Sequence, residues 1–201
     1  MFNGCFFLWA NISVYVLSYL YIYDPSVNQD AIFYVDTALI LLNTTGYQIG
    51  THLLNVRKLN PKLILLLGGS ISLCGIFASS YTHSLGSFIC LYGVFSGIGC
   101  GIMYLVPLVC GWEYFPERRG LVTGIIVGSY GLGSFIFTQV ATKIVNPFQE
   151  LPTIEINKDL KYYDSDVAIR VPMMFRIMVC IWSFQVLLAV LFISKPSSSP
   201  V

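Results

Sequence analysis

Six stretches of this chain run for the length of a membrane crossing and carry between them only two charged side chains, Asp36 and Arg176. They cover residues 2–23, 31–54, 63–80, 88–111, 120–142 and 171–193. A hydrocarbon core of about 30 Å takes about 20 helical residues to cross. The runs are continuously apolar and do not alternate as barrel strands would. In lipid the backbone must satisfy its own hydrogen bonds, which leaves helix as the form. Composition agrees: 10% of the residues are charged, against about 25% in a soluble domain. The expected fold is all-α membrane, with six transmembrane helices forming one bundle over residues 1–195. The lipid bilayer is its first partner. The net charge of +1 says nothing about further partners, and no basic tract points to nucleic acid.

The connections predict an orientation. Segment 24–30 holds two acids and no base, and 55–62 holds Arg57, Lys58 and Lys62 without an acid. Segment 81–87 is uncharged apart from His83, while 112–119 carries Arg118 and Arg119. Basic segments alternate with segments lacking bases, so the positive-inside rule places both termini in the cytoplasm. Residues 143–170 then form an external loop, and 196–201 begin a cytoplasmic one.

Between Gly93 and Gly133 two glycine-rich arms flank a charged hairpin, Trp112–Arg119. Gly93, Gly97 and Gly101 recur every fourth residue in the first arm; Gly120, Gly124 and Gly128 do so in the second. In water each such glycine would cost a helix about 1 kcal/mol. In a bilayer small faces let helix backbones approach closely. The expectation is that the fourth and fifth helices clasp each other through these two stripes.

Polar side chains inside the spans are costly, so their spacing is informative. Asn11, Tyr15, Ser18 and Tyr19 share one face of the first helix, and Thr37, Thr44, Gln48 and His52 form a stripe on the second. Two readings stand: lining of an aqueous path, or hydrogen bonding between helices. Asp36 and Arg176 lie at a similar depth near the external ends of their helices. They either pair, meet an anionic substrate in the case of Arg176, or snorkel to the interface.

Nothing in the spans has the pattern of an enzyme. The Gly97, Gly99, Gly101 series fails the dinucleotide register at Ile102, and no strand precedes it. Metalloprotease, serine-hydrolase and phosphate-loop signatures are absent from the sequence. The six cysteines all sit in apolar runs without a CxxC pair, which points to packing and away from disulfides or metal. No cofactor and no metal are expected. The sequons at Asn11 and Asn43 lie in mid-span and are discounted.

Three consecutive motifs carry a resemblance. They are Gly97, Gly99, Gly101, Tyr104 and Pro107; then Trp112, Phe115, Pro116, Glu117, Arg118, Arg119 and Gly120; then Gly124, Gly128, Gly131 and Gly133. Together they resemble the oxalate/formate antiporter-like, monocarboxylate transporter-related branch of the major facilitator superfamily. The loop from Gly50 to Lys62 occupies the place of that superfamily's G-x-x-x-D-R-x-G-R-R signature. Its basic residues remain, but Asn55 is the nearest substitute for the acid.

The resemblance implies the N-terminal bundle of a major facilitator fold, built from 3+3 inverted repeats. Its substrate would be a small organic anion such as a monocarboxylate, oxalate or formate, moved by alternating access. Its partner would be a C-terminal six-helix bundle, or a second copy of this chain. Substrate-path candidates are Asn11, Tyr15, Tyr19, Gln48, Tyr104, Tyr130 and Arg176. Gate candidates on the cytoplasmic side are Arg57, Lys58, Glu113, Glu117, Arg118 and Arg119, with Glu113 or Glu117 reaching Arg57 or Lys58. The competing expectation is a six-helix membrane protein without transport, either a truncated fragment or a structural or regulatory partner.

Overall fold

The computed structural model describes residues 4–28, 30–157 and 160–194. The expected cytoplasmic segment 196–201 lies outside them. Six long helices follow the apolar stretches: α1 Cys5–Tyr23, α2 Asp30–Thr51, α3 Pro61–Ser79, α4 Leu85–Tyr114, α5 Arg119–Val145 and α6 Val171–Phe192. Helices α3 and α4, and the segments Pro116–Val145 and Ser165–Phe192 that contain α5 and α6, are long and apolar enough to cross a membrane. Phe7–Tyr23 is apolar but shorter, and α2 is diluted by Asp30, Asp36, Asn43 and Gln48.

Local chemistry sets several boundaries. Asn60 starts α3, its side chain accepting the Lys62 N–H at 3.0 Å, with Pro61 in the first turn where no N–H is needed. A π-helical turn, His52–Val56, extends α2 and is capped by Arg57; Lys58 follows, with a φ of 49° in the left-handed region. A second π-helical stretch, Ile89–Ser96, lies inside α4.

The core lies where α4 passes between α2 and α3. Gly93 and Gly97 face α2, where an added Cβ would lie 3.0 Å from the Ala38 Cβ and 3.0 Å from the Leu39 carbonyl oxygen. A Cβ at Gly101 would lie 2.8 Å from the Gly46 Cα, and one at Gly99 2.7 Å from the Ser72 Cβ on α3. Beyond α4, α1 packs on α5, and α3 packs on α6.

This corrects the expected clasp. The spacing predicts that the two stripes face each other, yet a Cβ added at Gly120, Gly124, Gly128 or Gly131 would meet nothing within 4 Å. The contact between α4 and α5 is limited: a Cβ at Gly111 would lie 2.6 Å from Val122, and the Trp112 Nε1–H donates to Thr123 Oγ1 at 2.9 Å. The physical reason is which face each helix presents. Helix α2 turns its small residues Gly46 and Gly50 to α4, whereas the glycines of α5 open away from it.

The connection after α5 is partly built. An antiparallel pair, β1 Ile154–Asn157 and β2 Leu160–Tyr162, places Ile154 opposite Tyr162. A helical turn, Ser165–Ala168, leads into α6, capped by the Asp164 carboxylate, which accepts the Ser165 N–H at 2.6 Å. The purely helical expectation missed this small sheet.

Candidate functional site

The helix ends gather into two faces. On one, which we call the hairpin end, the Tyr114 and Ser194 hydroxyls are 2.6 Å apart, joining α4 to the end of α6. Lys62 Nζ donates to the Leu191 carbonyl at 3.4 Å nearby. The other, the long-loop end, holds the 24–30 turn, His83 and the β1–β2 sheet.

Between these faces three tyrosines from three helices converge. The Tyr47 ring of α2 stands edge-on to the Tyr104 ring of α4, centroids 4.7 Å apart. The Tyr130 ring of α5 lies 5.1 Å from that of Tyr104, and its hydroxyl donates to the Tyr104 carbonyl at 3.3 Å. Two path candidates, Tyr104 and Tyr130, are thereby brought together. The sequence reading missed Tyr47. Its position between Gly46 and Gly50, on the side of α2 that meets α4 most closely, was the available signal. Gln48, one residue on, is exposed.

The α1 stripe divides. Asn11 is exposed, whereas Tyr15, Ser18 and Tyr19 are buried against the long-loop end. Tyr15 stacks on Tyr163 with centroids 4.6 Å apart, and Ser18 Oγ accepts the Tyr163 N–H at 3.0 Å. Tyr162, fully buried, donates its hydroxyl to the Val27 carbonyl at 3.3 Å. Burial, followed by its contact with Tyr15, pushes the Tyr163 hydroxyl up to about 12. Burial likewise raises Tyr162. These residues serve as the seat of the β1–β2 segment. That segment is folded onto α1 and does not hang free.

Tyr19 continues the same chain of contacts to His83. Its hydroxyl lies 3.0 Å from His83 Nδ1, and the Tyr23 ring packs 4.2 Å from the imidazole. Close by, the Arg176 Nε–H donates to Ser80 Oγ at 3.4 Å, and its guanidinium carbon sits 4.4 Å over the Tyr81 ring. Arg176 thus takes its contacts from the α3–α4 connection. Asp36 is exposed on α2, and no ion pair joins the two among the described residues. Asp24, past the end of α1, is held below the usual carboxylate range by the Ser26 hydroxyl and N–H.

The gate candidates all lie at the hairpin end. Arg57, Lys58, Glu113, Glu117, Arg118 and Arg119 are exposed, and no salt bridge connects the 57–58 pair to Glu113 or Glu117 among the described residues. No group of three metal-ligating side chains assembles among those residues either.

Apolar helices of spanning length, joined at two opposite ends around a half-buried aromatic cluster, define a multi-pass integral membrane protein. The chain is homologous to transporters of the major facilitator superfamily. It is 29% identical to the apicoplast pyruvate carrier 1 of Toxoplasma gondii over 178 residues, which is 82% of this chain and 32% of that protein. It is 27% identical to human monocarboxylate transporter 12 over 57% of this chain and 21% of the relative. With the oxalate:formate antiporter of Oxalobacter formigenes it shares 30% identity over 45% of this chain and 21% of the relative. The chain therefore aligns with a third or less of the length of these relatives. No protein-family model matches it.

Proposed function

We propose that the chain forms one six-helix bundle of a facilitator-type transporter for small organic anions such as monocarboxylates, oxalate or formate. It would rock against a second six-helix bundle to give alternating access. The observation that carries this reading is the alignment with a pyruvate carrier over 82% of the chain.

The packing supports a 3+3 inverted repeat. A two-fold axis relating the first three helices to the last three exchanges α1 with α4, α2 with α5 and α3 with α6. It turns the α1–α5 contact into the α4–α2 contact and maps the α3–α6 contact onto itself, and all three contacts are present. In this reading the hairpin end is cytoplasmic, because Arg57, Lys58, Lys62, Arg118 and Arg119 collect there.

The path would run along the face shared by α1, α2, α4 and α5. Asn11 and Gln48, both exposed, would line it with Tyr104 and Tyr130 behind them, and the open glycine stripe of α5 would receive the partner bundle. Tyr15, tied to Tyr163, and Tyr19, tied to His83, would shape the path from behind without touching cargo. Arg176, sheltered by Tyr81 and Ser80, would act at the external mouth. The gate pairs between Glu113 or Glu117 and Arg57 or Lys58 would form in another state of the cycle.

Uptake of labelled formate, oxalate, lactate and pyruvate by the full-length protein in liposomes tests the reading. Saturable uptake of at least one, competed by the others, is expected. Uptake of none above protein-free liposomes would refute it.

A further inference from the structure

A groove of about 440 Å³ runs along α3 from its hairpin end. Leu53, from the π-helical end of α2, and Leu59, from the loop, line it together with Leu63, Leu67 and Ile71 of α3. Ile64, also part of the lining, is buried, whereas Leu63 and Leu67 are exposed. From Leu63 to Ile71 the helix rises about 12 Å, at 1.5 Å per residue. One leaflet supplies about half of a 30 Å hydrocarbon core, or about 15 Å. The groove has the length of one leaflet.

Its outer rim carries charge. The Leu59 N–H donates to the Leu53 carbonyl at 3.1 Å, which closes the chain between these two lining residues into a loop. Arg57 and Lys58 stand in that loop, and both are exposed. Neither makes a salt bridge among the described residues, and segment 55–62 holds no acid. Lys62, the third base, is turned instead to the Leu191 carbonyl of α6. Helix α3 starts at Pro61 beside the same rim, where the positive end of its dipole adds to the two cations.

We propose that this groove binds one anionic phospholipid of the leaflet on the hairpin side. Its phosphate meets Arg57 and Lys58, and one acyl chain lies along Leu63, Leu67 and Ile71. The Arg57 guanidinium matches phosphate oxygens in pairs, and Lys58 adds a point charge. In this state neither cation is taken by Glu113 or Glu117, so both are left for the headgroup. Lipid tails are alike in being apolar, and the choice among lipids therefore comes from the cations. A zwitterionic headgroup is held less tightly, because its own ammonium group meets two like charges. Basic pockets of this kind at membrane-helix ends suit anionic headgroups. The site rests on the membrane setting of the bundle and is independent of what the bundle carries.

Native mass spectrometry tests it. The full chain in detergent is titrated with dioleoylphosphatidylglycerol and, separately, with dioleoylphosphatidylcholine. The first phosphatidylglycerol is expected to bind about tenfold tighter than phosphatidylcholine, a preference within what two basic groups supply. Arg57→Gln with Lys58→Gln should remove that preference and leave phosphatidylcholine binding as it was. Arg118→Gln with Arg119→Gln takes the same charge from another segment of the same end and should keep the preference. Ser70→Trp, at an exposed lining position, should weaken phosphatidylglycerol severalfold by filling the groove while both cations stay in place. Glycerol phosphate, a headgroup without chains, should not compete. Equal affinity for the two lipids, an equal loss in both charge variants, unchanged binding in Ser70→Trp, or competition by glycerol phosphate would each overturn the proposal.

Discussion

Gly46 and Gly101 meet backbone to backbone: a Cβ on the first would lie 3.0 Å from the Cα of the second. One turn on, Gly50 makes the same approach to Ile102, whose Cα an added Cβ would meet at 3.0 Å. Ala would gain about 1 kcal/mol in helix propensity at either position. It would also drive a methyl group into main chain that cannot swing aside, and overpacking of this kind costs about 1–3 kcal/mol. Gly101→Ala is therefore expected to lower the thermal midpoint in detergent. A midpoint equal to or above that of the parent protein would show that the helices slide apart without penalty.

The same substitution in α5 has the opposite expected sign. Gly124 and Gly128 have nothing near an added Cβ, so Gly124→Ala should be neutral or stabilising by up to about 1 kcal/mol. If α5 receives a second bundle there, Gly128→Leu should keep the midpoint of this bundle yet impair uptake by the full-length transporter. A fall in stability comparable to Gly101→Ala would mean that α5 has a partner within this bundle.

Lys58 holds a backbone angle that favours glycine, with φ of 49°. The left-handed region costs a residue with a Cβ roughly 1–2 kcal/mol. Lys58→Gly should raise the midpoint by a corresponding amount, less what the added freedom of the unfolded chain takes back. Lys58→Ala keeps the Cβ and should give no gain. An equal gain from both would assign the effect to removal of the charge.

How much of this was legible in the sequence differs by level. The spans could be read because a membrane demands a length, and the chain meets that demand in continuous runs. The glycine stripes could be read as faces, but a four-residue period says nothing of which helix lies opposite. Gly46 and Gly50 are only two glycines, set among Tyr47, Gln48 and threonines, and their pattern is weaker than the α5 series that remains open. The α1 stripe shows a similar limit. Spacing placed Asn11, Tyr15, Ser18 and Tyr19 on one face, yet Asn11 is exposed, Tyr15 and Ser18 are covered by Tyr163 of a distant loop, and Tyr19 meets His83. The β1–β2 pair escaped because strands of four and three residues inside a charged segment give too little alternation to count.

The loop seat gives a prediction in pH. Tyr163 has its hydroxyl pushed up to about 12 by burial and by Tyr15, whereas a tyrosine in the unfolded chain titrates near 10. The folded state thus holds this proton more tightly. Its contribution to stability is complete below about pH 10 and is lost as pH rises towards 12. Tyr163→Phe removes the titration while keeping the stack on Tyr15. The variant should lose less stability than the parent protein across that window, followed by circular dichroism and tyrosinate absorbance. Coincident alkaline profiles would show that the Tyr163 hydroxyl reaches solvent and that the segment opens before it ionises.

At the hairpin end the acids and bases supply a last test, because the structure holds them apart. Glu113 and Glu117 are exposed and make no salt bridge to Arg57 or Lys58 among the described residues. Glu113→Gln with Glu117→Gln should therefore shift the stability of this conformation by no more than about 0.5 kcal/mol, as for ordinary surface changes. If the pairs form when the cytoplasmic side closes, the same double variant should slow uptake by the full-length protein, and added salt should slow the parent protein towards it. Reversing both partners, Arg57→Glu with Glu113→Arg, should then restore part of the rate. Unaltered uptake in the double variant would mean that the arginines and lysines at this end serve orientation in the membrane and take no part in gating.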